Sequence, residues 1–193
     1  MNYSLSFLFI ITISLLLTCT VDAQVKMRDV IKQMPDSLVP YLKQNARLDF
    51  IDFIDSGMKA EVSNDLGGKS QLMELTDDFA SLMLNSASQI QLRLLDVQEP
   101  VDNANQIICM VRTFGDTMRE STIEFYSVTW RPLPIESRIT LPPYMHYIML
   151  SSQAPELTVE SETSMDIPAN EEQKVIDRVL NKYKWIDGIF KIY

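Results

Sequence analysis

The sequence predicts an α+β domain: N-terminal helices, an antiparallel β-meander, one C-terminal helix and a terminal β-hairpin. Three observations carry this. Apolar residues recur at helical spacing between Met27 and Ser56. From Phe79 to Trp130 the pattern changes to alternation and β-branched or aromatic runs. Asp187-Gly188 then stands between two β-rich arms near the end of the chain.

The elements follow in order. Met27, Val30, Ile31 and Met34 form a helical stripe, and Pro35 ends it. Residues 37–44 read as a turn or short helix around Pro40. Asn45 suits the N-cap of a helix over 46–56, with Gly57 as its C′ residue. Phe79–Leu84 reads as a strand. Ile90, Leu92 and Leu94 alternate with Gln89, Gln91 and Arg93, the period of a half-buried strand. Gln106–Thr113 is a continuous apolar run, expected to be covered on both faces. Thr122–Trp130 is β-branched and aromatic. The polar linkers 96–105 and 114–121 are hairpin-sized, so a meander is the simplest topology.

Pro132, Pro134, Pro142 and Pro143 mark an irregular stretch. Tyr144–Leu150 fits a short helix or a strand, and Leu157–Glu160 fits a strand. Asn170 with Gln173 resembles a capping box. It precedes Val175, Ile176, Val179 and Leu180, which would share one helical face. Tyr183–Tyr193 closes as a hairpin.

The start of the chain reads as an export signal. Residues 4–18 are uncharged and apolar for about 15 residues, signal-length and short for a membrane span. Val21-Asp22-Ala23 places small residues for cleavage before Gln24, although the leader carries no Lys or Arg. The expected organisation is a signal at 1–23 and one domain at 24–193, with a periplasmic location. The alternative is a lipobox, Leu16-Leu17-Thr18-Cys19. Cys19 would then be acylated and the protein tethered to a membrane as a lipoprotein. No later segment is long and apolar enough to span a bilayer.

The formal net charge of −9 argues against nucleic acid, since phosphate binding needs a basic stripe and none is visible. A domain of this length buries about 70% of its unfolded surface, enough for one core without disulfides. None is available once Cys19 leaves with the signal, because Cys109 is then the sole thiol.

Candidate chemistry is thin. Ser63-Asn-Asp-Leu-Gly-Gly-Lys-Ser70 nearly fits a phosphate-binding loop, but Ser63 replaces the first glycine and no parallel α/β pattern frames it. It reads as a turn leading into the sheet. Cys109 with His146 as base would make a nucleophile pair, yet Cys109 sits among Ile107, Ile108, Met110 and Val111 and reads as a buried structural thiol. His146 is the single histidine. Asp49, Asp52 and Asp55 lie near one edge of a helix; they offer ligands for a hard cation or, more simply, a solvated edge. Asp77-Asp78 reads as a turn. Trp130, Tyr183, Trp185, Phe190 and Tyr193 offer either a recognition surface or cross-strand pairs, and the pairs are favoured. No residue is assigned a catalytic, cofactor-binding or metal-ligating role, and no cofactor is expected.

Several stretches resemble a known family: Met27-Arg-Asp-Val with Met34-Pro-Asp-Ser-Leu, Asn45-Ala-Arg-Leu-Asp-Phe-Ile-Asp, Leu66-Gly-Gly-Lys-Ser70, Leu75-Thr-Asp-Asp, and Ser121-Thr-Ile-Glu-Phe-Tyr-Ser127 leading to Trp130. The chain is similar here to exported proteins of unknown function from Bacteroides-type Gram-negative bacteria. The resemblance covers most of residues 25–135, and beyond it only Trp185-x-Asp187-Gly188-x-Phe190. It implies export to the periplasm and no activity. The expected function is a non-enzymatic, envelope-associated binding or accessory module with an envelope protein or ligand as partner. A hydrolase with a non-motif site and a carrier of apolar ligands or lipids are the alternatives.

Overall fold

Met27, Val30 and Ile31 are buried on one face of helix α1 (Met27–Gln33), and Phe50 and Ile51 on one face of α2 (Gln44–Asp55). A 3-10 turn, Asp36–Leu38, lies between them. The structure is a computed structural model and describes residues 24–164 and 176–193. Helix α2 starts one residue before the expected N-cap: Lys43 holds that position, without a side-chain cap, and Asn45 is helical. Its end is as expected. Gly57 has φ of 67°, its N–H donates to the Ile54 carbonyl, and Met58 N–H donates to the Phe53 carbonyl. This is a Schellman ending.

The rest of the described chain is β. Strands β1 (Glu61–Ser63), β2 (Lys69–Leu75), β3 (Phe79–Asn85), β4 (Ser88–Val101), β5 (Ala104–Phe114), β6 (Glu120–Ser127) and β7 (Pro132–Leu133) form an antiparallel sheet in chain order. Strands β8 (His146–Leu150), β9 (Glu156–Ser164), β10 (Ile176–Ile186) and β11 (Ile189–Ile192) form a second antiparallel sheet in the order β11-β10-β9-β8.

The expected α+β class is therefore corrected to a mostly β protein with two short helices, both on the N-terminal side. The expected C-terminal helix is not there. Ile176, Val179 and Leu180 belong to β10, an 11-residue strand paired with both β9 and β11. Val, Ile and Leu at helical spacing also suit a strand. Here the alternation further along decides, with Tyr183 and Trp185 buried. Asn170, Gln173 and Val175 lie outside the described residues. The terminal hairpin holds: Asp187 and Gly188 have φ of 54° and 83°, as a type I′ turn requires. The linker 96–105 is mostly strand, because Asp102 and Asn103 (φ 52° and 62°) turn β4 directly into β5.

Two cores share the large sheet. On one face Leu82, Ile90, Leu92, Ile108 and Met110 pack under the helices. On the other, Ile107, Cys109, Val111, Ile123 and Phe125 pack against Ile148, Leu157, Val159, Trp185 and Phe190 of the small sheet. Among the described residues no helix is long and apolar enough to cross a membrane.

Candidate functional site

The polar residues of β4 are not simply turned to water: Arg93 is buried, and Gln89 and Gln91 are half-buried. The far side of β4 meets the small sheet and hydrogen-bonds to it. Leu150 N–H donates to Gln91 Oε1 at 3.0 Å, and Arg93 Nη1 donates to the Ser151 carbonyl at 2.6 Å. From β6, Ser121 Oγ accepts the Ile148 N–H at 3.0 Å. These side chains close the β8 edge, which would otherwise present unpaired backbone groups.

A cleft opens at one end of this seam. It is about 400 Å³ and is lined by Arg93, Asp96, Gln106 and Trp185 with Asp78 and Asp187. Arg93 is nearly fully buried, and its Nη2 donates to Asp78 Oδ2 at 2.7 Å. Burial lowers the guanidinium pKa, against the pull of the Asp78 carboxylate. Trp185 Nε1 donates to the Asp96 carbonyl at 2.7 Å, and Gln106 Nε2 donates to Asp96 Oδ1 at 3.1 Å. Two buried atoms in the cleft wall, Arg93 Nε and Gln106 Oε1, have no partner among the described residues.

A smaller groove of about 240 Å³ lies at the start of β8. Met118, Arg119, Met145, His146 and Tyr147 line it, with Thr117 and Glu160. Met118 is 70% exposed and Met145 51%. The Arg119 guanidinium lies 5.4 Å from the centre of the Tyr147 ring, a cation–π contact. His146 Nδ1 is 2.7 Å from the Tyr144 carbonyl, an acceptor that requires the proton on Nδ1.

The candidate residues from the sequence are dispersed rather than assembled. Cys109 is completely buried in the core between the sheets, and burial pushes its thiol pKa up, so it carries no thiolate at neutral pH. Asp49, Asp52 and Asp55 are exposed, and Asp55 pairs with Arg28 at 2.6 Å. Among the described residues no group of three His, Cys, Asp or Glu is placed to hold a metal ion. Leu66 and Gly67 lie in the turn between β1 and β2, where Asn64 Oδ1 accepts the N–H groups of Leu66 and Gly68 at 3.1 Å. The loop's amides are thus turned onto a protein side chain. Trp130, Tyr183, Trp185 and Phe190 are buried core residues, and Tyr193 alone of that set is exposed.

Sequence reasoning missed Arg93 and Gln106, because a polar residue alternating along a strand looks the same over water as over a second sheet. It missed the groove because Met118, Met145 and Tyr147 come from two separate loops and strand ends.

A solved domain of an uncharacterized protein from Porphyromonas gingivalis W83 has a similar fold. Its TM-score is 0.72 at 17% identity, covering 89% of this chain and 99% of that one. No curated protein matches the chain. The family model described as protein of unknown function (DUF3256) matches residues 18–168, and the chain belongs to that family.

Proposed function

We propose that this protein is an exported, non-enzymatic binding module of a Gram-negative envelope, and that its groove at His146 receives an extended apolar segment of a partner protein. The observation that carries this reading is the pair of exposed methionines, Met118 and Met145, flanking the stacked Arg119 and Tyr147. Thioether side chains adapt to varied apolar surfaces, while Tyr and Arg concentrate binding energy at interfaces. The groove falls below the roughly 300 Å³ at which pockets begin to enclose a drug-sized ligand, which favours a peptide segment over a carried lipid. The net charge of −9 complements a segment flanked by lysine or arginine. The apolar leader and Val21-Asp22-Ala23 support export and a periplasmic location; acylation of Cys19 is the second route to the same envelope.

The test is capture from envelope extract by the wild-type protein and by a Met118→Ser/Met145→Ser double variant. Met58→Ser serves as control, since Met58 is also exposed but does not line the groove. The expected result is one protein whose affinity falls about tenfold or more in the double variant and is unchanged in the control. Equal capture by all three overturns the reading.

A further inference from the structure

We infer that the α-ammonium of Gln24, once export cleavage after Ala23 exposes it, seats in the cleft between the sheets and supplies the cation that Asp96 lacks. The inference rests on the export reading above but not on the groove.

The backbone leading to Gln24 is held in place. Met27 is fully buried and its N–H donates to the Asp77 carbonyl at 2.8 Å, while Val25 packs against the helix-side core. Gln24 borders the 400 Å³ cleft and also an adjoining depression of about 210 Å³. Asp96 and Gln106 are the other residues that border both.

The charges facing this point are Asp78, Asp96 and Asp187 against Arg93. Lys26, two residues along, pairs with Asp77 at 3.5 Å. Arg93 is engaged by Asp78 and the Ser151 carbonyl. Asp187 accepts from Gln98 Nε2 and has Lys191 at 4.0 Å. Among the described residues the exposed Asp96 has no ion-pair partner, and its neighbour Gln106, 6% exposed, keeps Oε1 as a buried acceptor without a donor. An ammonium brings three N–H donors and a charge, so it can serve both groups. In the uncut chain the same nitrogen is a peptide N–H, with one donor and no charge.

Occupancy has a chemical consequence. An N-terminal glutamine closes to a lactam when its neutral amine attacks its own side-chain carboxamide carbon. The new C–N bond forms, the carboxamide C–N bond breaks and ammonia leaves. The protonated amine has no lone pair for this step. Seating the ammonium therefore protects Gln24.

The full chain is expressed with its own leader in a Gram-negative host, and the exported product is weighed intact. A product starting at Gln24 supports cleavage after Ala23, and one starting at an acylated Cys19 overturns that cleavage. In that second case the seat is assayed on a chain produced directly with Gln24 first. The α-amine is titrated by NMR through the ¹³Cα and ¹³Cβ shifts of Gln24, which leaves its three protons in place. The expected pKa lies above the range of about 7.7–8.0 for free α-amines, and returns to it in Asp96→Asn. A rise of one unit cuts the neutral fraction about tenfold, so ring closure at neutral pH is about tenfold slower than in the peptide Gln-Val-Lys-Met and faster in Asp96→Asn. An α-amine pKa within or below that range, or ring closure at the peptide's rate, overturns the inference. Placing one extra alanine before Gln24 displaces the amine without touching the cleft, and is expected to lower its pKa as Asp96→Asn does.

Discussion

Arg47 shows how one side chain can organise a layer. It is 1% exposed, and its guanidinium donates to the carbonyls of Ile31 (3.3 Å), Leu42 (2.5 Å) and Met34 while facing Asp36 at 2.9 Å. These carbonyls lie at or just beyond the end of α1 and before α2, so the charge closes the helix end and joins the pair. Arg47→Met keeps the length but orphans the carbonyls. The expected loss is about 2–4 kcal/mol, read as a lower denaturant midpoint at unchanged slope. Glu61 gives a pH-dependent counterpart. Hydrogen bonds from Lys59 and Lys69 hold its carboxyl down to about 2. An unfolded glutamate titrates near about 4.3, so this pairing stabilises the fold above that pH and is lost as pH falls toward the folded value. The melting-temperature gap between wild type and Glu61→Gln should therefore be present at neutral pH and close between about pH 4 and 2.

Among the elements, what was legible depended on whether a local signal had one reading. The Gly57 helix end, the doubly covered β5 and the Asp187-Gly188 turn each follow from local chemistry, and each is found. Strand β10 reads as a helix in its first half because Ile176, Val179 and Leu180 fit a helical stripe as well as a strand, and what separates the two is the alternation at Tyr183 and Trp185 together with pairing to β9 and β11. The burial of Arg47 and Arg93 was not legible, since it depends on carbonyls and carboxylates brought from distant segments. The loop between β5 and β6 offers a test at this scale. Gly115 has φ of 98°, and a Cβ there would lie 1.9 Å from the Met118 carbonyl oxygen. A Cβ at Gly57, φ 67°, meets nothing within 4 Å. Gly57→Ala should cost only the left-handed penalty, about 1 kcal/mol, whereas Gly115→Ala must also move the backbone and should cost about 3 kcal/mol or more. Because that loop carries Thr117, Met118 and Arg119, Gly115→Ala should also weaken whatever binding depends on the groove.

At the scale of the molecule, the large sheet belongs to both cores, and this governs how the protein opens. Strand β5 contributes Ile108 and Met110 to the helix side and Ile107, Cys109 and Val111 to the small-sheet side, and it is paired along its length with β4 and β6. Its amides cannot be exposed without losing both cores, so residues 107–111 should exchange hydrogen only through global unfolding. The small sheet depends on the seam. Its β8 edge is fixed by Gln91, Ser121 and Arg93, and Trp130 Nε1 ties α1 to the opposite face through the Val30 carbonyl at 3.2 Å. Gln91→Leu removes the acceptor for the Leu150 N–H while leaving the row of apolar residues on the other face of β4 unchanged. Hydrogen exchange should then speed up in β8 and β9 by about tenfold or more, for a local loss of about 1–3 kcal/mol, with β5 following only the change in global stability. Equal acceleration across β5 and β8 would mean that the two sheets open as one unit and that the seam adds no separate boundary.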